Sequence, residues 1–330
     1  MPAVVTPEGP GVDDAPDRQA DVLGAPYLRE TIPLEPDDEG EVVATLVSRS
    51  DAPATGPAVL HLHGFCDYFF QTGAADWWTE RGYAFYALDL RKYGRSLRPH
   101  QTPNFARDLD EYAEELTAAF RIITERDGHD RVLLTGHSTG GMIGSLWAAR
   151  HEVPLEAVVL NSPWLDMQGS FLLRTAGTQA INQVGARRPY QSIPRHVSGL
   201  YGRSLHADFD GEWDYDLAWK PIESWPVYAG WLRAVRRGHA AIHKGLGLTV
   251  PTLVLSSATS LQPQEWEPAV DESDTVLDVA LMAKWVHKLS RHVTLVQVPG
   301  ALHDVTLSRQ PARDRVYAEL DRWLGAYVSG

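Results

Sequence analysis

Residues 131–150 read RVLLTGHSTGGMIGSLWAAR, and the order of side-chain types in this stretch decides the fold. An apolar run of strand length, RVLLT at 131–135, passes directly into GMIGSLWAARH at 141–151, an apolar run of helical length. Between them Gly136-His137-Ser138-Thr139-Gly140 leaves room only for a sharp turn. Its glycines let the backbone pass close to neighbouring chain. A serine at the apex of such a turn stands clear at the C-terminal edge of a sheet, above a helix N-terminus whose dipole favours negative charge. The bland alternative is a glycine turn with an incidental serine, and the strand and helix on either side argue against it.

Working outward, further apolar runs of strand length occur at 58–63 (AVLHLH), 83–90 (YAFYALDL), 155–160 (LEAVVL), 252–256 (TLVLS) and 293–298 (VTLVQV). Runs this continuously apolar belong to parallel strands covered on both faces. Residues 27–34 and 41–48, split by PDDEG, predict an antiparallel hairpin ahead of them. Helical spacing of Leu109, Tyr112, Ala113, Leu116, Phe120 and Ile123 predicts an amphipathic helix over 105–126. Val276 to Val286 and Val316 to Tyr327 show the same period. The alternation of strand and helix implies right-handed crossovers and a mostly parallel, doubly wound α/β sheet.

The rhythm breaks at 163–249, which holds helix-like pieces and Trp164, Trp213, Trp219, Trp225 and Trp231 but no apolar strand. A stretch of that length is no single loop in a compact domain, and it reads as an inserted, mainly helical cap. The expected organisation is therefore a disordered lead-in at 1–26, a core at 27–162 and 250–330, and a cap at 163–249. The tryptophans suit either an acyl pocket or the cap's own core.

Across 330 residues the net charge is −13, which disfavours a nucleic-acid surface because phosphate contacts need clustered Lys and Arg. The lone cysteine, Cys66, can form no internal disulfide, no apolar run is long enough to cross a membrane, and the N-terminus lacks a secretion signal's pattern. A cytoplasmic location is the default expectation; oligomeric state is not legible.

A serine at such an elbow needs a base, an acid and two amide donors aimed at a developing oxyanion. Thr139 follows the serine and supplies one amide. Phe65, after His63-Gly64 at the end of the 58–63 run, supplies the other. His303, in GALHD directly behind the 293–298 strand, is the natural base. The acid should follow the 252–256 strand, where DESDTVLDV offers Asp271, Glu272, Asp274 and Asp278. Asp274 immediately precedes the apolar helical run and is favoured. Asp278 falls within the first turn, where the helix dipole alone explains an acidic side chain. A rival reading takes His61, His63 and Asp67 as zinc ligands, since i and i+2 share a face of a strand. Asp67 falls four positions after His63 with no further ligand close by, so neither metal nor cofactor is expected.

With these segments placed, the chain resembles the monoglyceride lipase and lysophospholipase-like branch of the α/β-hydrolase fold over about residues 57–325. The resemblance is carried by HLHGF (61–65), YALDLRKYGRSLRP (86–99), GHSTG (136–140), SDTVLD (273–278) and GALHD (300–304), in family order. It implies Ser138 as nucleophile, Asp274 as acid, His303 as base, and Phe65 and Thr139 as oxyanion donors. Asp89, Arg91, Gly94 and Ser96 match an Asp-x-Arg-x-x-Gly-x-Ser loop, although Lys92 and Tyr93 replace the family's Gly-His pair. A second departure is the run SSATSLQPQEWEPAVD (256–271), which separates strand from acid where relatives have only a few residues. The implied activity is hydrolysis of a small acyl ester, monoacylglycerol or lysophospholipid included. An amidase, peptidase, thioesterase or perhydrolase would use the same groups, and a non-catalytic binder would keep the fold without them. Dehalogenase and epoxide hydrolase chemistry is disfavoured, because those α/β-hydrolases are expected to carry Asp where Ser138 stands.

Overall fold

The computed structural model describes residues 18–168, 171–194 and 197–328. Their main sheet contains β1 (Gln19–Ala20), β2 (Tyr27–Asp37), β3 (Gly40–Arg49), β4 (Pro57–Leu62), β5 (Ala84–Asp89), β6 (Arg131–His137) and β7 (Ala157–Asn161). A two-stranded pair, β8 (Ser192–Ile193) and β9 (Val227–Tyr228), stands apart, and β10 (Thr252–Ser257) and β11 (Val293–Val298) complete the main sheet. Its order is β1-β2-β3-β5-β4-β6-β7-β10-β11. The expected hairpin is β2–β3, and β3 also meets β5 antiparallel. From β5 to β11 every neighbouring pair is parallel.

The described residues also form eight α-helices: α1 (Thr72–Thr79), α2 (Ala113–Arg121), α3 (Thr139–Arg150), α4 (Phe171–Arg187), α5 (Leu200–Leu205), α6 (Ala229–Lys244), α7 (Val279–Trp285) and α8 (Gln310–Tyr327). The two faces of the sheet explain the unbroken apolar strands. Along β6, Val132 and Leu134 enter one core with α2, α3 and α6, while Leu133 enters the other with α1 and α8. Each such fully buried side chain contributes about 1.5–3 kcal/mol.

Three expectations change. The helix over 105–126 begins later, as a 3-10 turn at Leu109–Tyr112 that leads into α2. Asp108 caps it by accepting from the Asp110 N–H, and Phe105 leaves the helical path to stack on Tyr190. Of the 1–26 lead-in, residues 1–17 lie outside the described ones, but the end is ordered: β1 pairs with β2, and Asp21 is buried against Arg95 at 2.7 Å. That partner is remote in the chain, so local composition carried no sign of it. Finally, α6 from within 163–249 joins the same core as α3 through Trp231, Ala234, Val235 and Ile242.

Candidate active site

Ser138 joins β6 to α3 with φ 52° and ψ −115°, a backbone state costly for a residue with a Cβ. It is held by its own N–H donating to Asn161 O at 2.9 Å and by Trp164 N–H donating to its carbonyl at 3.1 Å. Gly140 is required for close approach: a Cβ there would lie 2.2 Å from His63 O, just past the end of β4. The turn therefore packs directly onto the His63-Gly64-Phe65 segment.

His303 follows β11 and is buried, as is Asp274 beyond β10. The His303 Nδ1–H donates to Asp274 Oδ2 at 2.8 Å, a tautomer fixed by the carboxylate's inability to donate, which leaves Nε2 available for a hydroxyl. Asp274 Oδ1 accepts from Val276 N–H at 2.8 Å and Leu277 N–H at 2.7 Å, so both its oxygens are oriented. The competing acids go elsewhere. Asp278 caps α7 by accepting from Ala280 and Leu281 N–H, Asp271 pairs with Arg309 at 2.7 Å, and Glu272 is exposed. The long 256–271 run is accommodated by a loop that returns through paired backbone bonds between Thr259, Leu261 and Asp274.

Ser138 and His303 line one cavity of about 470 Å³, together with Phe65, Thr139, Trp164 and Trp231. Thr139 is buried beside the serine, its hydroxyl without a partner among the described residues. Of the five tryptophans, Trp164 and Trp231 reach this cavity. Trp213 instead donates to Leu307 O, Trp225 to Trp219 O, and Trp219 packs edge-on against Tyr68.

The histidines of the zinc reading are engaged otherwise. His63 Nδ1–H donates to Gly64 O at 2.8 Å, and Leu90 N–H donates to its Nε2 at 3.1 Å. His61 Nδ1 meets Thr135 Oγ1 at 3.0 Å, and burial pushes the ring down to about 4, keeping it neutral. Among the described residues no three His, Cys, Asp or Glu side chains are grouped to hold a metal ion. In the Asp89 loop, Asp89 accepts from Phe69 N–H at 2.9 Å and Arg95 Nη1 at 2.8 Å, Arg91 pairs with Glu115 at 2.7 Å, and Ser96 Oγ donates to Asp89 O at 2.7 Å. That loop is a buried brace rather than a wall of the cavity.

Sequence reasoning missed Asn161 and Asp304. Asn161 O accepts from Ser138 N–H, its Nδ2 donates to Asp304 Oδ1 at 2.6 Å, and its Oδ1 accepts from Val305 N–H at 3.0 Å. Through its backbone carbonyl on one side and its side-chain amide on the other, this one residue ties the serine turn to the histidine loop. Burial alone would raise the Asp304 carboxyl; His137, Thr306 and Asn161 outweigh it and hold the group below its ordinary value. The available signal was an amide closing an otherwise apolar strand, AVVLN at 157–161.

A parallel sheet with a strained serine turn and an Asp-His pair at one rim defines the α/β-hydrolases. The sequence profile of the family described as serine aminopeptidase, S33 matches residues 54–310, and the chain belongs to that family. It is 30% identical over 119 residues to epoxide hydrolase 4 of Mus musculus, covering 36% of this chain and 32% of that one. Over 154 residues it is 27% identical to the abhydrolase domain-containing protein abhd-5.2 of Caenorhabditis elegans, 46% of this chain and 34% of that one. These matches span about a third of the curated relatives' own length. Among solved structures, a carboxyl esterase from Bacillus coagulans superposes with TM-score 0.64 at 16% identity, covering 91% of this chain and 99% of that one. A soluble variant of monoglyceride lipase from Saccharomyces cerevisiae gives 0.60 at 15% identity, covering 97% and 98%. No helix among the described residues is long and apolar enough to cross a membrane.

Proposed function

We propose that the chain hydrolyses a carboxylic ester through an acyl-enzyme, with residues 163–249 acting as a cap over the site. Ser138 Oγ attacks the carbonyl carbon as His303 Nε2 takes its proton, and the amide N–H groups of Phe65 and Thr139 stabilise the oxyanion. His303 then protonates the alcohol oxygen as the C–O bond breaks. A water, deprotonated by His303, attacks the acyl carbon, and Ser138 leaves with the proton. Asp274 holds the imidazole in its tautomer and favours the imidazolium. No step calls on a cofactor.

The observation that carries this reading is the buried 2.8 Å bond from Asp274 to His303, a histidine that lines the same cavity as the strained Ser138. The apolar wall formed by Phe65, Trp164 and Trp231 suits an acyl chain, and likeness to a monoglyceride lipase favours a medium-chain ester or monoacylglycerol. An aminopeptidase would need a free carboxylate for the substrate ammonium. Asp67, the carboxylate among the described cavity residues, is already bonded to Lys220. Ser138 at the nucleophile position disfavours epoxide hydrolase chemistry.

Purified protein assayed on p-nitrophenyl esters of graded chain length, a monoacylglycerol and aminoacyl p-nitroanilides tests the proposal. Ester turnover dependent on Ser138 and exceeding that on anilides is expected; preferred anilide cleavage would overturn the substrate class.

A further inference from the structure

Among the described cavity residues a buried cation, Lys220, lies in the 163–249 segment and bonds to the loop that carries Phe65. Lys220 Nζ donates to Asp67 Oδ1 at 2.8 Å, with both side chains nearly inaccessible to solvent. The ring centroids of Phe70, Tyr201 and Tyr215 lie 5.7, 5.8 and 5.7 Å from the same ammonium. A carboxylate and three ring faces together repay part of what a buried ammonium loses in hydration.

The second oxygen of Asp67 does a different job. Oδ2 accepts from the Gly64 N–H at 3.2 Å, one residue before the Phe65 amide. Gly64 has little freedom to move: a Cβ there would lie 3.0 Å from His137 Cδ2 and 3.3 Å from Ser138 Cβ. Two further bonds fasten the same pair of segments. Trp225 N–H donates to Cys66 Sγ at 3.3 Å, and Asp216 N–H donates to Tyr68 Oη at 2.7 Å. The 216–225 stretch is thus fastened to the 64–68 loop on either side of the ion pair.

We propose that Lys220 is a positioning residue: by clamping one oxygen of Asp67 it aims the other at Gly64 and so fixes the direction of the Phe65 amide toward the reacting carbonyl. Folding the inserted segment onto the core thereby completes the oxyanion hole. Burial by itself would raise the Asp67 carboxyl, but Lys220, with His137 and His63, holds it lowered and ionised, which keeps it a strong acceptor for Gly64.

The inference rests on the ester-hydrolase reading, and the test separates the two. Wild type, Lys220→Met and the neutral double variant Asp67→Asn/Lys220→Met are compared in p-nitrophenyl ester hydrolysis and thermal melting. In Lys220→Met, kcat should fall on the order of 10²-fold with KM changed by less than about threefold, the signature of a misaimed transition-state donor. The double variant removes the unpaired buried charge, so it should melt close to wild type while kcat stays more than about tenfold down. It is read alone if Lys220→Met fails to fold. A folded variant with kcat within about twofold of wild type, or a double variant that recovers turnover along with its melting temperature, would overturn the role of Lys220. Wild type inactive on every ester would remove the parent reading as well.

Discussion

Two groups of residues line the cavity, and they are placed by different rules. On the sheet rim, Ser138 and His303 sit a few residues beyond β6 and β11, where the strands themselves aim the loops. In the 163–249 segment, Lys220 and Trp231 are placed by partners far away in the chain: Asp67 for the lysine, Phe65 at 4.4 Å for the tryptophan ring. In the proposed reading the rim holds the reacting groups to fixed directions. In that same reading the 163–249 segment supplies shape and closes over them. Damage to the first should abolish chemistry, whereas damage to the second should redirect or weaken it.

The sharpest break of that contrast is at the serine. Ser138→Ala should lower kcat on the order of 10⁶-fold with the melting temperature preserved, since the side chain lost is small and the cores are untouched. His303→Ala should cost nearly as much, and the double variant little more, because the two act as a unit. Steady-state ester hydrolysis and circular dichroism melts check both; additive losses would mean that the residues work separately.

Next come the two acids. Asp274→Asn should cost on the order of 10⁴ in kcat by disturbing the imidazole tautomer. Asp278→Asn should leave turnover near wild type and change stability by less than about 1 kcal/mol, since Asn still caps a helix. If the two outcomes were exchanged, the rim's acid would be Asp278.

In the 163–249 segment the effect should be one of preference. Trp164→Ala enlarges the cavity, so the optimum along a series of p-nitrophenyl esters should move to longer chains, each added methylene being worth about 1–3 kcal/mol in such a pocket. An unchanged profile would place the acyl chain elsewhere.

The smallest effect concerns acid stability. Asp304 has a folded-state value lowered from 3.8, so the stability it contributes is complete above 3.8 and is lost as pH falls through the lowered value. The gap in melting temperature between wild type and Asp304→Asn should therefore be constant near neutrality and shrink below about pH 4. A gap that grew in acid would reverse the assignment.

How much was legible follows from the same division. Unbroken apolar runs revealed the strands because both faces of a parallel sheet are buried, and the segments of Ser138, Asp274 and His303 do lie beyond β6, β10 and β11, as their order along the chain predicts. Asp278 could be set apart from Asp274 because a carboxylate at a helix start has its own electrostatic reason to be there, and the structure makes it the cap of α7. Asn161, Asp304 and Lys220 were hidden. Each matters through a partner remote in sequence, and no period or local spacing encodes such a pairing. The same holds for Asp21, whose burial against Arg95 ordered a stretch that composition alone assigned to a loose lead-in.

The central claim is that Ser138 is a nucleophile activated from across the rim, and covalent labelling tests it most directly. Wild-type protein treated with a fluorophosphonate should gain one adduct by intact mass, mapped by peptide sequencing to Ser138, absent from Ser138→Ala and strongly slowed in His303→Ala. No adduct on a folded wild-type protein, or an adduct that persists in Ser138→Ala, would contradict the account.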